Sequence, residues 1–355
     1  MTAEEADAGR ASARTPPAAQ AANVKARDLI GRIVRRPEVT PVGGALAVWA
    51  FFAVVAGDTG FLTSQGTANY LEVASQLGLI TIAVTLLMIA GEFDLSVGSM
   101  LGAAGVLMAY PVAELGWPLW AGIALAFAGA ALVGAINGLL VIRTGLPSFI
   151  VTLAALFILR GVTIAFTHDV TGGSTQVGGV REAVSGSFLY SALAGELFGL
   201  PAAVYWWLGL TAVATVVLAR TRFGNWVYGA GGDPAAAARL GVPVARVKVL
   251  LFVLTALAAS LVAVIGVLVN GAADVQQGQL KEFQAITAAV IGGTLLTGGY
   301  GTVVGAAFGA LIFGMVSQGI FFTGADADWF QAFLGAMLLS AVLVNRYFGQ
   351  QAQGG

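Results

Sequence analysis

From about Val42 onward, apolar stretches close to the ~20 residues needed to cross ~30 Å of hydrocarbon recur, separated only by short polar or glycine-rich breaks. Lipid offers no water to satisfy free backbone N–H and C=O groups, so such a chain must fold as helices that satisfy their own backbones. Spans are expected at residues 42 to 57, 71 to 90, 96 to 112, 118 to 142, 146 to 166, 203 to 219, 248 to 269, 283 to 297, 302 to 322 and 329 to 346, about ten in all.

Composition agrees with a lipid environment. Of 355 residues, 58% are hydrophobic and 10% charged, whereas a soluble globular chain carries about 25% charged residues. The 49 glycines also fit, because helices approach closely in a bilayer through small residues. The expected fold class is all-α: a polytopic transmembrane helical bundle, about ten helices with two broken or re-entrant segments.

Several function classes are excluded by what the chain lacks. It has no cysteine and a single histidine, His168, which removes disulfides, thiolate zinc sites, cysteine nucleophiles and any pair of imidazoles for a metal. No G-x-x-x-x-G-K sequence followed by Ser or Thr occurs, so the chain does not hydrolyse ATP through a phosphate loop. No cluster of His, Cys or repeated intramembrane carboxylates supports a membrane-embedded enzyme, and no nucleic-acid partner is expected.

Charge is informative by position. Seven of the 17 basic residues lie in the first 36 residues (Arg10, Arg14, Lys25, Arg27, Arg32, Arg35, Arg36). Five more lie in one later segment (Arg220, Arg222, Arg239, Arg246, Lys248). The positive-inside rule makes both regions cytoplasmic, and the six expected crossings between them return the chain to its starting side. The resulting division is a cytoplasmic tail over 1–40, mostly disordered with a short amphipathic helix from Val24 to Val34, then a transmembrane domain over 41–346 with a cytoplasmic loop at 220–247. A short cytoplasmic tail over 347–355 follows. The Thr167 to Pro201 connection, with His168, Asp169, Arg181 and Glu182, is expected outside.

Two segments resemble each other: Ile89 to Met108 (IAGEFDLSVGSMLGAAGVLM) and Ile291 to Ala310 (IGGTLLTGGYGTVVGAAFGA). Paired glycine-broken segments point to a transporter's substrate path, since a broken helix supplies backbone donors and acceptors where lipid cannot compete. In the first, Glu92, Asp94, Ser96 and Ser99 place two carboxylates and two hydroxyls between apolar helices. An ionisable group at membrane depth costs about 2.5 to 3.5 kcal/mol on the insertion scale, so it faces a cavity or a partner. A turn in which Asp94 or Ser96 caps the next helix is the plainer alternative. Thr294 and Thr297 make the corresponding polar patch in the second segment. Asn137 is a buried amide suited to linking helices or to bordering the path.

Within Arg220 to Lys248, Asp233 fits an N-cap, Pro234 the first helical position, Ala235 to Leu240 a helix, and Gly241 the left-handed position that ends it. Two turns are too short to stand alone in water, so this helix lies on headgroups or docks on a soluble partner.

The motifs GEFDLSVGS, NGLLVIRTGLPSFIVTLAALFILRG, GAGGDPAAAARLGVPVARVK and AAVIGGTLLTGGYGTVVGA, in this order and spacing, resemble the permease family of monosaccharide ATP-binding-cassette importers over about residues 70 to 346. That family usually shows Gly-Gly-Ile-Asp-Leu-Ser-Val-Gly-Ser where this chain has Glu92 and Phe93. The resemblance implies a permease of the bacterial inner membrane, with both termini cytoplasmic, for a monosaccharide or related solute. It also implies a second permease copy or paralogue, separate ATPase subunits that bind ATP and magnesium, and an extracytoplasmic sugar-binding protein. No cofactor is implied for this chain. Asp233, Pro234, Ala238, Arg239, Leu240, Gly241, Val242 and Arg246 would form the coupling element seated on the ATPase. Nucleosides, inositol or a furanosyl signal molecule fit the same architecture, and an ion-coupled secondary transporter is the alternative class.

Overall fold

The computed structural model describes residues 39–353 except 185, 325, 327 and 328. The expected amino-terminal tail therefore lies outside the described residues, apart from Val39 and Thr40, which open the first helix. Helices dominate: α1 (Val39–Ala56), ending in a π-type turn at Gly57–Phe61, α2 (Ser64–Ile89), α3 (Val97–Ala113), α4 (Leu119–Thr144) and α5 (Ser148–Thr171). Two short helices, α6 (Val180–Val184) and α7 (Phe188–Ala194), precede α8 (Ala202–Arg220), α9 (Arg222–Gly232) and α10 (Pro234–Arg239). The last four are α11 (Val244–Asn270), α12 (Lys281–Ile291), α13 (Val303–Phe322) and α14 (Trp329–Gln353).

Each expected span corresponds to a helix, but not all reach across a bilayer. Among the described residues, seven helices are long and apolar enough to do so: α1 with its turn, α2, α4, α5, α8, α11 and α13. The expected span at 283 to 297 is the 11-residue helix α12, which at 1.5 Å per residue covers only about half of the hydrocarbon. Two boundaries also move. α5 continues to Thr171, which puts His168 and Asp169 in its last turn instead of the connection, and α14 continues through residues 347–353.

Position in the bundle separates the long helices. In the most apolar 18-residue stretch of each helix, 83% of residues are buried in α2 and 67% in α11 and α13, against 22% in α1, α5 and α8. Because these helices are apolar all round, hydrophobic periodicity does not distinguish the protein-facing from the lipid-facing side. Small residues do the sorting. Gly134 and Gly138 of α4 admit the α11 backbone so closely that an added Cβ would lie 2.6 Å from Phe252 O and 2.8 Å from Val249 Cα.

The chain reaches α12 through an irregular stretch, Gly271 to Leu280, that folds back into the bundle along α3. Gly105, Gly102 and Gly98 meet Ala273, Val275 and Gly278 in turn, so the loop advances about 10 Å along α3 at the helical rise. A pair of two-residue strands pins its outer end, β1 (Gln176–Val177) lying antiparallel to β4 (Ala273–Asp274), while β2 (Glu196–Leu197) and β3 (Leu200–Pro201) form a separate hairpin between α7 and α8. The Arg181 guanidinium donates to Val269 O at 2.6 Å, holding the α5–α8 connection over the end of α11.

Candidate functional site

The two resembling segments end their helices in the same way. After α2, the N–H groups of Ala90, Gly91 and Glu92 donate to Leu86, Met88 and Leu87; after α12, those of Gly292, Gly293 and Thr294 donate to Ala288, Val290 and Ala289. Gly91 (φ 81°) and Gly293 (φ 89°) take the left-handed position that this termination requires and that glycine occupies without penalty.

Around the first break the irregular backbone is satisfied by α5. The Phe93 N–H donates to Ser148 Oγ at 3.0 Å and the Leu95 N–H to Thr152 Oγ1 at 3.1 Å. Asp94 is 2% exposed and accepts three bonds: from the Ser96 N–H (2.9 Å) and hydroxyl (2.6 Å) at Oδ1, and from Thr255 Oγ1 of α11 (2.7 Å) at Oδ2. Asn137 Nδ2 of α4 donates to Ser96 Oγ at 3.0 Å, and Ser99 Oγ donates to Ser96 O at 2.9 Å. Neither Asp94 nor Ser96 caps α3 with its side chain. They instead form a buried network joining α4, α5 and α11 to the break, which leaves the carboxylate well satisfied in a low-dielectric setting.

Glu92 has a partner that sequence reading missed. Its Oε1 pairs with Lys248 Nζ at 2.5 Å, with side chains only 13% and 11% exposed. Lys248 lies in the first turns of α11, directly after α10. The available signal was a lysine at the start of the long apolar run of α11, where a buried cation needs a partner. Lys248→Met is expected to lower the thermal unfolding midpoint of the detergent-solubilised protein through a loss of about 3 kcal/mol. Adding Glu92→Leu should restore most of it, and a single variant as stable as the parent would count against the pair.

The second break lies against the first. The Gly299 N–H donates to Ile89 O at 2.8 Å, and Tyr228 Oη of α9 donates to Gly301 O at 2.8 Å. Gly231 sits between them: an added Cβ there would lie 1.8 Å from Ile89 O and 2.8 Å from Gly299 N. Thr294 is fully buried with its hydroxyl unpartnered among the described residues, while Thr297 is exposed and outside this contact. Asp94, Ser96, Ser99 and Asn137 thus form one hydrogen-bonded cluster, Glu92 of the same break pairs separately with Lys248, and Thr294 lies on the neighbouring break.

α10 springs from this junction. Asp233 Oδ1 accepts from the Ala236 N–H at 2.9 Å, Pro234 takes the first turn, and Gly241 (φ 85°) ends the helix with Val242 N–H donating to Ala237 O. Ala237 faces Gly229 of α9 and is buried, whereas Ala238, Arg239, Gly241 and Arg246 are exposed and Leu240 is 85% exposed. The helix therefore shows an apolar tip and basic flanks to the outside. Among the described residues no group of His, Cys, Asp and Glu could hold a metal ion.

Comparison with known proteins places this architecture. The chain is 32% identical to the xylose transport system permease protein of Escherichia coli (strain K12) over 363 residues, covering 86% of this chain and 90% of that protein. It is 32% identical to the ribose import permease protein of the same organism, covering 80% and 87%, and 31% identical to the fructose import permease protein of Rhizobium meliloti, covering 86% and 84%. No solved structure matches. Residues 66–342 match the family described as branched-chain amino acid transport system / permease component. With a polytopic helical bundle and matches that span most of its length, the chain belongs to this family of transport permeases.

Proposed function

We propose that this chain forms the solute pathway of an ATP-driven importer for a monosaccharide or a related hydroxylated solute. The observation that carries the proposal is the placement of α10: a short, outward-facing helix rooted on Gly231 and Gly232, where both breaks meet. Movement imposed on α10 from outside the chain reaches the two breaks directly, without an intervening flexible linker. Separate ATPase subunits, binding ATP and magnesium, supply that movement by docking on Asp233, Pro234, Ala238, Arg239, Leu240, Gly241, Val242 and Arg246.

On this reading Glu92, Asp94, Ser96, Ser99, Asn137 and Thr294 border the inner part of the pathway, with Thr297 at its margin. ATP and the loaded binding protein favour one orientation of this gate and hydrolysis resets it, since a ligand shifts an equilibrium only by its differential affinity for the two states. The basic flanks of α10 support a cytoplasmic position for this end at the bacterial inner membrane, and the cluster of basic residues in the first 36 supports the same side for the amino terminus. A binding protein delivers solute at the other end, and a second permease copy completes the assembly.

The names of the xylose, ribose and fructose relatives support a sugar, although the family description names branched-chain amino acids. Uptake of radiolabelled ribose, xylose, fructose and leucine by ATP-replete vesicles separates these solutes. Co-purification of ATPase subunits is expected; uptake abolished by an uncoupler, with no ATPase bound, would instead identify an ion-coupled transporter. The double variant Glu92→Gln with Asp94→Asn should change uptake by about tenfold while assembly with the ATPase persists. Lower expression with normal uptake per molecule would assign these carboxylates to structure alone.

A further inference from the structure

The hairpin between α7 and α8 carries a phenylalanine where its geometry disfavours one. Strands β2 and β3 pair Leu197 with Leu200, which leaves Phe198 and Gly199 as a two-residue turn. Both have positive φ, 51° and 76°, as a type I′ turn requires. The first position of such a turn favours Asn, Asp or Gly, and a bulky side chain there is strained. Packing within the chain does not offset the strain: Phe198 is 91% exposed, next to Leu197 at 53%. A large apolar side chain held outward at a conformational cost points to a contact outside the chain.

Neighbouring residues fix where this turn lies. Helix α8 runs from the hairpin to Arg220, beside α9, so the turn sits at the end of the bundle opposite α10. Its backbone is satisfied within the chain. The Ala202 N–H donates to Gly195 O at 2.8 Å and Tyr205 Oη to Leu197 O at 2.7 Å. Trp206 Nε1 donates to Ala192 O at 2.9 Å, which ties α7 to the same turn of α8. A hairpin closed in this way can enter a less polar layer without stranding donors or acceptors.

Lipid suits this tip better than a soluble partner does. No charged residue occurs in 197–219, so the turn belongs to the same uncharged run as α8. That helix exposes Trp206, Leu208, Val213 and Val216, an apolar side that begins within about two turns of the hairpin. Tyr and Trp at the start of a span are the residues that settle at a membrane interface. Glu196, the last charge before the run, is exposed. From it to Phe198 the strand covers about 7 Å, within the ~5–10 Å to which interfacial segments sink. Docking surfaces for soluble proteins set polar groups around an apolar centre, whereas residues 197–201 carry no polar side chain.

We propose that Leu197 and Phe198 form a lipid anchor, inserted at the boundary between headgroups and acyl chains in the leaflet opposite α10. The strained turn aims Phe198 away from the bundle, and Tyr205 and Trp206 hold the hairpin at the depth where α8 enters the hydrocarbon. The anchor is independent of which solute the chain carries.

The absence of cysteine from the chain makes single-site labelling direct. Phe198→Cys and, as a control, Ala183→Cys on the exposed side of α6 each take one bimane fluorophore. The full chain is then reconstituted with its ATPase subunits in vesicles of phosphatidylethanolamine and phosphatidylglycerol. These are doped with lipid carrying a nitroxide near the glycerol end of its acyl chain. Lipid nitroxide should quench the probe at 198 about fivefold more than the probe at 183, with iodide in the water showing the reverse order. A second construction separates anchoring from folding. Phe198→Asn suits the turn, so the thermal unfolding midpoint should not fall, while lipid quenching of a probe at Leu197→Cys drops about threefold. Equal quenching at 198 and 183 overturns the anchor, as does undiminished quenching at Leu197→Cys in the Phe198→Asn background. Shielding from iodide that arises only when the binding protein is added also overturns it, by making the tip a protein-docking surface. So does shielding that is lost when the permease is diluted in lipid, which would assign the tip to a contact between two copies.

Discussion

Replacing Leu240 and Gly241 together by glutamate is expected to reduce solute uptake about thirtyfold and to weaken retention of the ATPase subunits by a similar factor. Leu240 is 85% exposed at the tip of α10, a costly place for an apolar side chain unless it docks. An apolar anchor at the centre of a docked interface is worth about 2 kcal/mol or more, which is about thirtyfold. Gly241 ends the helix at φ 85°, so a side chain there would also strain the turn that aims Leu240 outward. The measurement is co-purification of ATPase with tagged permease, paired with uptake per assembled complex. Uptake and retention both at parental levels would remove α10 from the coupling path.

The second large effect is expected at Gly231. Gly231→Val would place a side chain 1.8 Å from Ile89 O and 2.8 Å from Gly299 N, both backbone atoms that cannot yield by changing rotamer. The junction must open, and the bond from the Gly299 N–H to Ile89 O is lost with it. Overpacking of this severity costs about 3 kcal/mol, so a fall in the thermal unfolding midpoint and loss of uptake are expected. The next residue supplies the control. Gly232→Ala would add a Cβ with nothing within 4 Å and should be close to neutral, so equal damage from both variants would contradict a contact specific to Gly231.

Legibility in the sequence followed range. The cap at Asp233, the proline after it and the terminating Gly241 are all decided within about two helical turns, so local rules placed them. The helix terminations at Gly91 and Gly293 were readable for the same reason, as paired interruptions of apolar runs. The partner of Glu92 lies 156 residues away, and the groups that satisfy Phe93 and Leu95 lie 55 and 57 residues away. Nothing in the local pattern selects Lys248, Ser148 or Thr152 from other polar residues at helix ends. The inward course of Gly271 to Leu280 left no local signal, because a polar stretch between apolar spans has the same composition whether it stays at the surface or folds back inside.

The Glu92–Asp94 segment shows how the division falls. By itself the sequence determined that the chain lies in a membrane, that it is built from about ten helical segments, and that two of these are interrupted by glycine and polar residues. Lipid imposes those results, because a backbone without water must satisfy itself within each segment. Which groups satisfy the interruptions was left to the tertiary structure. It gave Asp94 to Ser96 and Thr255, gave Glu92 to Lys248, and brought both breaks against Gly231 at the root of α10. Helices apolar on every side can pack in many arrangements of similar burial, and the choice among them is made by close backbone contacts and buried polar pairs between segments far apart in the chain.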